Sequence, residues 1–275
     1  MERSLLFQPF TPFRHLGIGF YDHSDSLDVT WAVSGFRSGQ DQFGGSASNG
    51  AGWGTAERLT WCPWYDEPSN GAAYLHWGAG HFFSAPQDRL ANFRTIPEMF
   101  VGQQNGIANG NQQPLPGNYS GTPFFLQTGN LHVNTFNVFG LEKLLVYGPW
   151  SWQTEAMVNV VDRIGGPTVA LPGAYTQIGY FLTGEHRPYD RKTGTIDRVI
   201  PHENFFRTWA GDGPCTGSGA WEVAFRVSYL DFRPLDAIAS PTAGGDLLDT
   251  TAGLNWYWNP NTKLVANWVH SCLNN

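Results

Sequence analysis

The sequence has little charge, few cysteines and no long hydrophobic run. Charged residues make up 14% of the 275 residues, well below the roughly 25% that is usual in soluble domains. The formal net charge is −7, and no basic run offers contacts to phosphates, so we expect no nucleic-acid partner. No apolar run reaches the ~18–20 residues that a membrane-spanning helix needs.

The sequence also lacks the signatures of metal sites and enzymes. The three cysteines, Cys62, Cys215 and Cys272, lie far apart, and neither a CxxC pair nor a histidine-rich cluster accompanies them. Neither a disulfide framework nor a zinc site is therefore predicted. GxSxG, HExxH and P-loop motifs are missing as well. We expect no catalytic residues, no metal and no cofactor.

Aromatic residues and strict alternation dominate what is present. Trp, Tyr and Phe together reach 15% of the chain. In the run 220–231 the apolar residues Trp221, Val223, Phe225, Val227 and Tyr229 alternate with Glu222, Ala224, Arg226 and Ser228. Period-2 alternation predicts a β-strand with one apolar face and one polar face. The run 247–268 repeats the pattern, with tryptophans at the strand ends.

The alternation favours a membrane barrel over a soluble fold. A barrel turns its apolar face to lipid, has aromatic residues at both interfaces and keeps charge in the lumen. We count about ten strands of about ten residues, joined alternately by short turns and long polar loops. The longest connection, 85–122, is expected to be an extracellular loop or a segment folded into the lumen. The fold class predicted is all-β, as one domain over residues 1–275.

One alternative belongs to a different class of protein. A secreted β-sandwich would bury the alternating apolar face between two sheets, and exposed tryptophans such as Trp256, Trp258 and Trp268 would bind carbohydrate. The position of these residues near strand ends on the apolar face favours a lipid-interface girdle instead.

Three blocks of the sequence resemble a known family. They are FLTGEHRPYDRKTGTIDRVIP, GAWEVAFRVSYLDF and GLNWYWNPNTKLVANW, and together they resemble the C-terminal half of the phosphate-selective porins O and P. The opening MERSLLFQPFTPFRHLGIG and the hairpin LEKLLVYGPWSWQTEAMV are similar to further parts of those porins.

The resemblance implies an architecture and a function. It implies an antiparallel up-and-down transmembrane β-barrel in the outer membrane, sixteen-stranded when complete and trimeric, which passes small anions such as phosphate by passive diffusion. The chain is expected to be an incomplete barrel of about ten strands, without the signal peptide, the first strands and the last C-terminal strand. The partners implied are small anions, membrane lipid and, for the full-length protein, two further copies.

The resemblance also implies which residues line the pore. Arginine offers a permanently charged, planar donor group that matches phosphate, and anion selectivity requires such groups on the lumen face. The candidate pore-lining residues are Arg3, Arg58, Arg94 and Arg226. The competing interpretation is that these arginines form structural ion pairs, for which Glu57 beside Arg58, Glu222 beside Arg226 and Glu98 beside Arg94 are the candidate partners.

Overall fold

The computed structural model describes residues 3–11, 15–38, 52–98, 124–205, 208–210, 213–215, 217–235 and 244–274. Each long strand pairs antiparallel with the next long strand along the chain, so the long strands form a single up-and-down sheet. In chain order the long strands are β1 Gly17–His23, β2 Val29–Ser38, β3 Gly52–Tyr65, β4 Ala73–Ala85, β5 Leu131–Tyr147, β6 Trp150–Arg163, β7 Val169–Phe181, β8 Ala220–Asp231, β9 Asp246–Asn259 and β10 Thr262–Asn274.

The two faces of the sheet differ as the alternation predicts. In β8, Glu222, Arg226 and Ser228 are buried on one face, called here the inner face, whereas Phe225 is exposed on the other. The antiparallel register aligns these positions across neighbouring strands, so that Arg226 lies opposite Gln177 of β7 and Thr251 of β9. Many polar residues of successive strands therefore share the inner face, and the outer face is mainly apolar.

Aromatic side chains lie along the outer face near the strand ends. Trp221 of β8 stacks on Trp256 of β9, with ring centroids 4.6 Å apart. Lys143 of β5 places its ammonium over the rings of Trp77 and Trp152, at 5.2 and 4.4 Å. A lysine that packs its alkyl stem among interface tryptophans while its charged end reaches water is typical of a membrane-facing wall.

The sheet is open in the part of the chain that the structure describes. Strands β1 and β10 form its two edges, and no pairing joins them. A sandwich requires a second large sheet packed over the apolar face. Here that face is exposed, with Leu59, Trp61 and Leu141 each more than half exposed, so the arrangement argues against the β-sandwich alternative.

A first segment folds onto the inner face from one side. The short helix Phe7–Phe10 lies there, together with the small sheet formed by Arg94–Thr95 and Leu126–Gln127. The two-residue strand Leu90–Ala91 pairs with β5. These pieces share a hydrophobic core with the sheet of long strands. The fully buried residues of this core include Leu5, Leu6, Phe10, Phe93 and Leu126. The described part of the long connection 85–122 therefore packs on the inner face; residues 99–123 lie outside the described residues.

A second segment folds inward from the other rim. Between β7 and β8, the small hairpin of Tyr189–Asp190 and Thr195–Ile196 lies against β2, β3 and β4. Gly194 has a positive φ of +63°, and a Cβ there would lie 2.4 Å from the Thr60 hydroxyl. Only glycine permits both this backbone conformation and this close approach to the wall.

The connections do not divide as cleanly between the two rims as we expected. Successive connections of an up-and-down sheet alternate between rims, so 182–219, which contains the inward hairpin, lies on the same rim as the short turns 148–149 and 260–261. The expectation of short turns on one rim and long loops on the other is therefore wrong for this connection. Among the described residues, no helix is long and apolar enough to cross a membrane.

Candidate functional site

A polar cavity of about 390 Å³ lies on the inner face. Four cations line it, contributed by the N-terminal segment, the inward connection and two strands: Arg3, Arg187, Arg226 and Lys263. Uncharged polar groups from β6, β7 and β9 complete the wall, namely Gln153, Tyr175, Gln177, Asn255 and Tyr257. We call this space the cationic cavity.

Arg226 is the most tightly held of these cations. It is 6% exposed, and its Nε and Nη2 donate to the Gln177 side-chain oxygen at 3.0 and 2.6 Å. Its Nη1 donates to Glu98 Oε2 at 3.2 Å. The guanidinium also lies 5.2 Å from the centre of the Tyr175 ring. Arg226 thus combines a fixed position with a neutralising partner.

Glu98 links the first inward segment to the wall. Besides Arg226, its carboxylate accepts hydrogen bonds from the Thr251 hydroxyl at 2.8 Å, from the Ser228 hydroxyl and from the Leu5 backbone N–H at 3.2 Å. Its own backbone N–H donates to Asp249 Oδ2 at 2.8 Å. A carboxylate with this many donors is well compensated for burial. The expected pairing of Glu98 with Arg94 is not what the structure has.

Arg187 reaches the cavity from the second inward segment. Its Nε donates to the Ser151 hydroxyl at 3.1 Å, and its Nη2 pairs with Glu222. Burial opposes the charge of Arg187, but the Glu222 carboxylate outweighs it, and the pKa of Arg187 lies above its ordinary value. Glu222 also accepts from Asn255 and Tyr257, at 2.8 and 3.0 Å. The predicted partner of Arg226 therefore serves Arg187 instead.

Two of the four cations carry no ion pair to the described residues. Arg3 packs its guanidinium over the Phe7 ring at 4.0 Å, and the Lys263 ammonium lies 5.7 Å from the centre of the Tyr257 ring. Of the carboxylates, Glu155 lines the cavity, while Glu98 and Glu222 pair with Arg226 and Arg187. Counting these side chains alone, one cation is in excess.

Arg58 lies apart from the cationic cavity. Its Nε donates to Glu142 Oε1 at 3.1 Å, and its Nη2 donates to the Gly194 carbonyl at 2.9 Å. Glu142 is also hydrogen-bonded to His76, which in turn contacts the Tyr189 hydroxyl at 2.6 Å. Arg58 thus joins the wall to the inward hairpin, which fits the competing interpretation of a structural ion pair.

Arg94 lies outside both of these clusters. Its guanidinium packs over the Phe124 ring at 4.5 Å, on the short pair Arg94–Thr95, and it does not line the cationic cavity. Of the four predicted residues, the structure therefore brings Arg3 and Arg226 together, and places Arg58 and Arg94 at separate positions.

Glu57, the predicted partner of Arg58, faces the opposite side of the sheet. It lies on the outer face, where its Oε2 is 2.8 Å from Nδ1 of His81. The other ring nitrogen of His81 contacts the Asn137 side-chain oxygen at 3.1 Å. Adjacent strand residues point to opposite faces, so Glu57 cannot reach the guanidinium of its chain neighbour on the inner face.

Sequence reasoning missed Arg187, Lys263 and Glu142 as inner-face charges. Lys263 and Glu142 lie on strands, so the period-2 alternation could have predicted that both residues are on the inner face. Arg187 occupies a connection with no periodicity, and the only sequence signal for it is its position in the FLTGEHRPYD block, within the resemblance described above.

A profile of the family described as phosphate-selective porin O and P matches residues 1–273. The chain belongs to this family. The match spans nearly the whole sequence, and it agrees with the open-faced sheet of alternating strands described above. Members of the porin O and P family are channels of the outer membrane rather than enzymes.

Two relatives are similar to parts of the chain. It is 27% identical to porin O of Pseudomonas aeruginosa over 208 residues, which cover 71% of this chain and 43% of that protein. It is 32% identical to an uncharacterized protein of Caulobacter vibrioides over 95 residues, which cover 34% of this chain and 17% of that protein. The chain thus matches less than half the length of either relative.

Proposed function

We propose that the chain forms part of the wall and lumen of an outer-membrane pore through which small anions, such as phosphate, diffuse passively. The inner face is the lumen side, and the outer face contacts lipid. The complete protein would assemble as a trimer of such pores. The name of the family refers to phosphate selectivity, and we extend this property to the inner face of the present chain.

The observation that supports the proposal is the cationic cavity. Selective passage requires charges that attract an anion without trapping it. Arg226 and Arg187 are fixed in ion pairs, while Arg3 and Lys263 face the same cavity without such partners among the described residues. The small excess of positive charge predicts a moderate preference for anions rather than strict exclusion of cations.

The experiment is a reversal-potential measurement on the full-length gene product in a planar bilayer. With a tenfold KCl gradient across the membrane, we expect a reversal potential nearer the chloride than the potassium equilibrium value. Arg3→Ala should lower the chloride-to-potassium permeability ratio by about two- to threefold, because it removes a charge near the path that has no ion pair to any described residue.

Arg198→Ala provides the matched control. Arg198 is exposed on the connection between β7 and β8, where its contact is a 3.3 Å hydrogen bond to Asn261, and water and salt screen such a charge. We expect little change in the permeability ratio. A cation-preferring wild-type pore would overturn the proposal, and equal effects of the two variants would remove Arg3 from the anion path.

A further inference from the structure

A second cavity, of about 410 Å³, adjoins the cationic one and has a different character. Small and apolar side chains form most of its wall on the inner face: Phe10, Ala32, Ala56, Phe82, Val138 and Met157. Arg58 also lines this cavity, where it pairs with Glu142, a further lining residue. Gly80 of β4 and Gly140 of β5 contribute bare backbone, which widens the space. We call it the apolar cavity.

The two cavities share a border. Thr11, Glu155 and Met157 line both of them. Glu155 is held at this border by the Tyr175 hydroxyl and by the Gln153 amide, which donates at 2.9 Å. A molecule in the lumen can therefore contact the cations on one side of Met157 and apolar surface on the other.

The apolar cavity does not favour the binding of an inorganic ion. Phosphate and chloride gain nothing from an apolar wall, since contact with it removes water from the ion without replacing the lost hydrogen bonds. An apolar group attached to an anion gains free energy by leaving water. Binding pockets for organic ligands typically combine such apolar walls with a few charged groups that fix the orientation.

We propose that the site takes organic anions that carry an apolar substituent, such as aryl phosphates or aryl carboxylates, in preference to inorganic phosphate. The anionic group lies in the cationic cavity near Arg3 and Lys263, and the apolar group enters the apolar cavity beside Met157. This assignment rests on the proposed function, because it names the class of anion that the same lumen prefers.

Gly140 lines the apolar cavity but not the cationic cavity, so a substitution there can fill the apolar cavity without replacing Arg3 or Lys263. A Cβ at this position would have Met157 Cγ at 3.6 Å as its nearest neighbour, which is an ordinary van der Waals contact. Gly140→Leu should therefore occupy the space that an aryl group would enter. Gly80→Val is a second filling variant, because a Cβ there would meet only the Glu57 carbonyl oxygen, at 3.6 Å.

Gly35→Leu is the matched control. Gly35 lies on β2, one residue after Ser34, whose hydroxyl donates to the Ala56 carbonyl at 3.3 Å. Gly35 therefore lies on the outer face, as does the exposed residue Val33 two positions earlier. A Cβ at Gly35 would meet no atom within 4 Å. The control adds the same bulk to the outer face and leaves both cavities unchanged.

The experiment compares block of the chloride current by phenyl phosphate and by inorganic phosphate, in the full-length gene product. We expect phenyl phosphate to block at a roughly tenfold lower concentration, as burial of an aromatic ring predicts. Gly140→Leu and Gly80→Val should remove this difference while the block by inorganic phosphate is retained. Gly35→Leu should preserve the difference.

The outcomes separate the two proposals. Equal block by the two compounds in an anion-preferring wild-type pore overturns the inference and leaves the proposed function standing. A retained tenfold difference in both filling variants, with normal chloride conductance, also overturns it. Cation preference with no block by either compound contradicts the proposed function itself.

Discussion

At the scale of single residues, the lumen is defined by which arginines have carboxylate partners. Arg58, Arg187 and Arg226 pair with Glu142, Glu222 and Glu98. A paired arginine contributes a fixed hydrogen-bond donor but little net field, because the carboxylate cancels its charge at a distance. In the proposed pore, the preference for anions then depends on the partners as much as on the arginines.

Glu98→Gln tests this dependence. The amide keeps the shape of the side chain and can still accept from Thr251, but it removes a negative charge beside Arg226. We expect the chloride-to-potassium permeability ratio to rise by about two- to threefold. Glu57→Gln makes the same chemical change on the outer face and should leave the ratio unchanged. A rise with both variants would indicate an effect of overall net charge rather than of the lumen.

The sequence pattern predicted the face of the sheet on which each arginine lies, but it did not predict the arginine's carboxylate partner. Alternation correctly placed Arg58 and Arg226 on the polar face of their strands. It did not identify Glu98 as the partner of Arg226, because this contact joins residues 128 positions apart across an aperiodic segment. Such a contact depends on how the segment 90–98 folds onto the inner face. The segment has no periodic pattern from which this course could be predicted.

At the scale of elements, an arginine at the tip of the inward hairpin between β7 and β8 ties the hairpin to the rim of the sheet. Arg191 donates from Nη2 to the Ser26 carbonyl at 2.7 Å and to Asp28 Oδ1 at 2.8 Å. It also pairs with Glu67 of the β3–β4 turn. Burial opposes the charge, but the hydrogen bonds to Glu67 and Asp28 raise the pKa of Arg191 above its ordinary value. The hairpin is thereby tied to two turns of the same rim.

Arg191→Ala should release the hairpin from this rim. Removal of several charge-assisted hydrogen bonds predicts hydrogen exchange in residues 186–198 that is at least about tenfold faster. Lys192→Ala is the control, since it removes the same charge one residue later, where the described contact is made by the backbone N–H. Indistinguishable exchange in the two variants would show that Arg191 does not hold the hairpin.

The elements were predictable to different degrees. The long strands follow from period-2 alternation, and their number and order agree with the prediction. The short helix Phe7–Phe10 was not predicted, since residues 1–12 contain two prolines and no periodic pattern. The inward course of 182–205 was missed for a similar reason: polar, glycine-containing segments look alike in sequence whether they face solvent or a polar lumen.

At the scale of the whole molecule, one sheet separates two environments. Its outer face is apolar, with aromatic residues near the strand ends, and its inner face carries ion pairs, two inward segments and the two adjoining cavities. The family and the strand pattern were recognisable from the sequence because the alternation is regular over most of the chain. The cavities were not recognisable, because they form where strands β2 to β10 meet inward segments that have no periodic pattern.

The most direct test of this account is the reactivity of cysteines at two adjacent positions of β6, in the full-length protein with its native cysteines replaced by serine. Met157→Cys places a thiol on the inner face at the border of both cavities, and Val158→Cys places one on the outer face. Anionic and cationic methanethiosulfonate reagents of similar size are compared, with rates corrected for their intrinsic reactivity. The account predicts that Met157→Cys reacts, faster with the anionic reagent, and that Val158→Cys is protected by lipid from both. Reaction of Val158→Cys with either reagent, or faster cationic labelling of Met157→Cys, would contradict it.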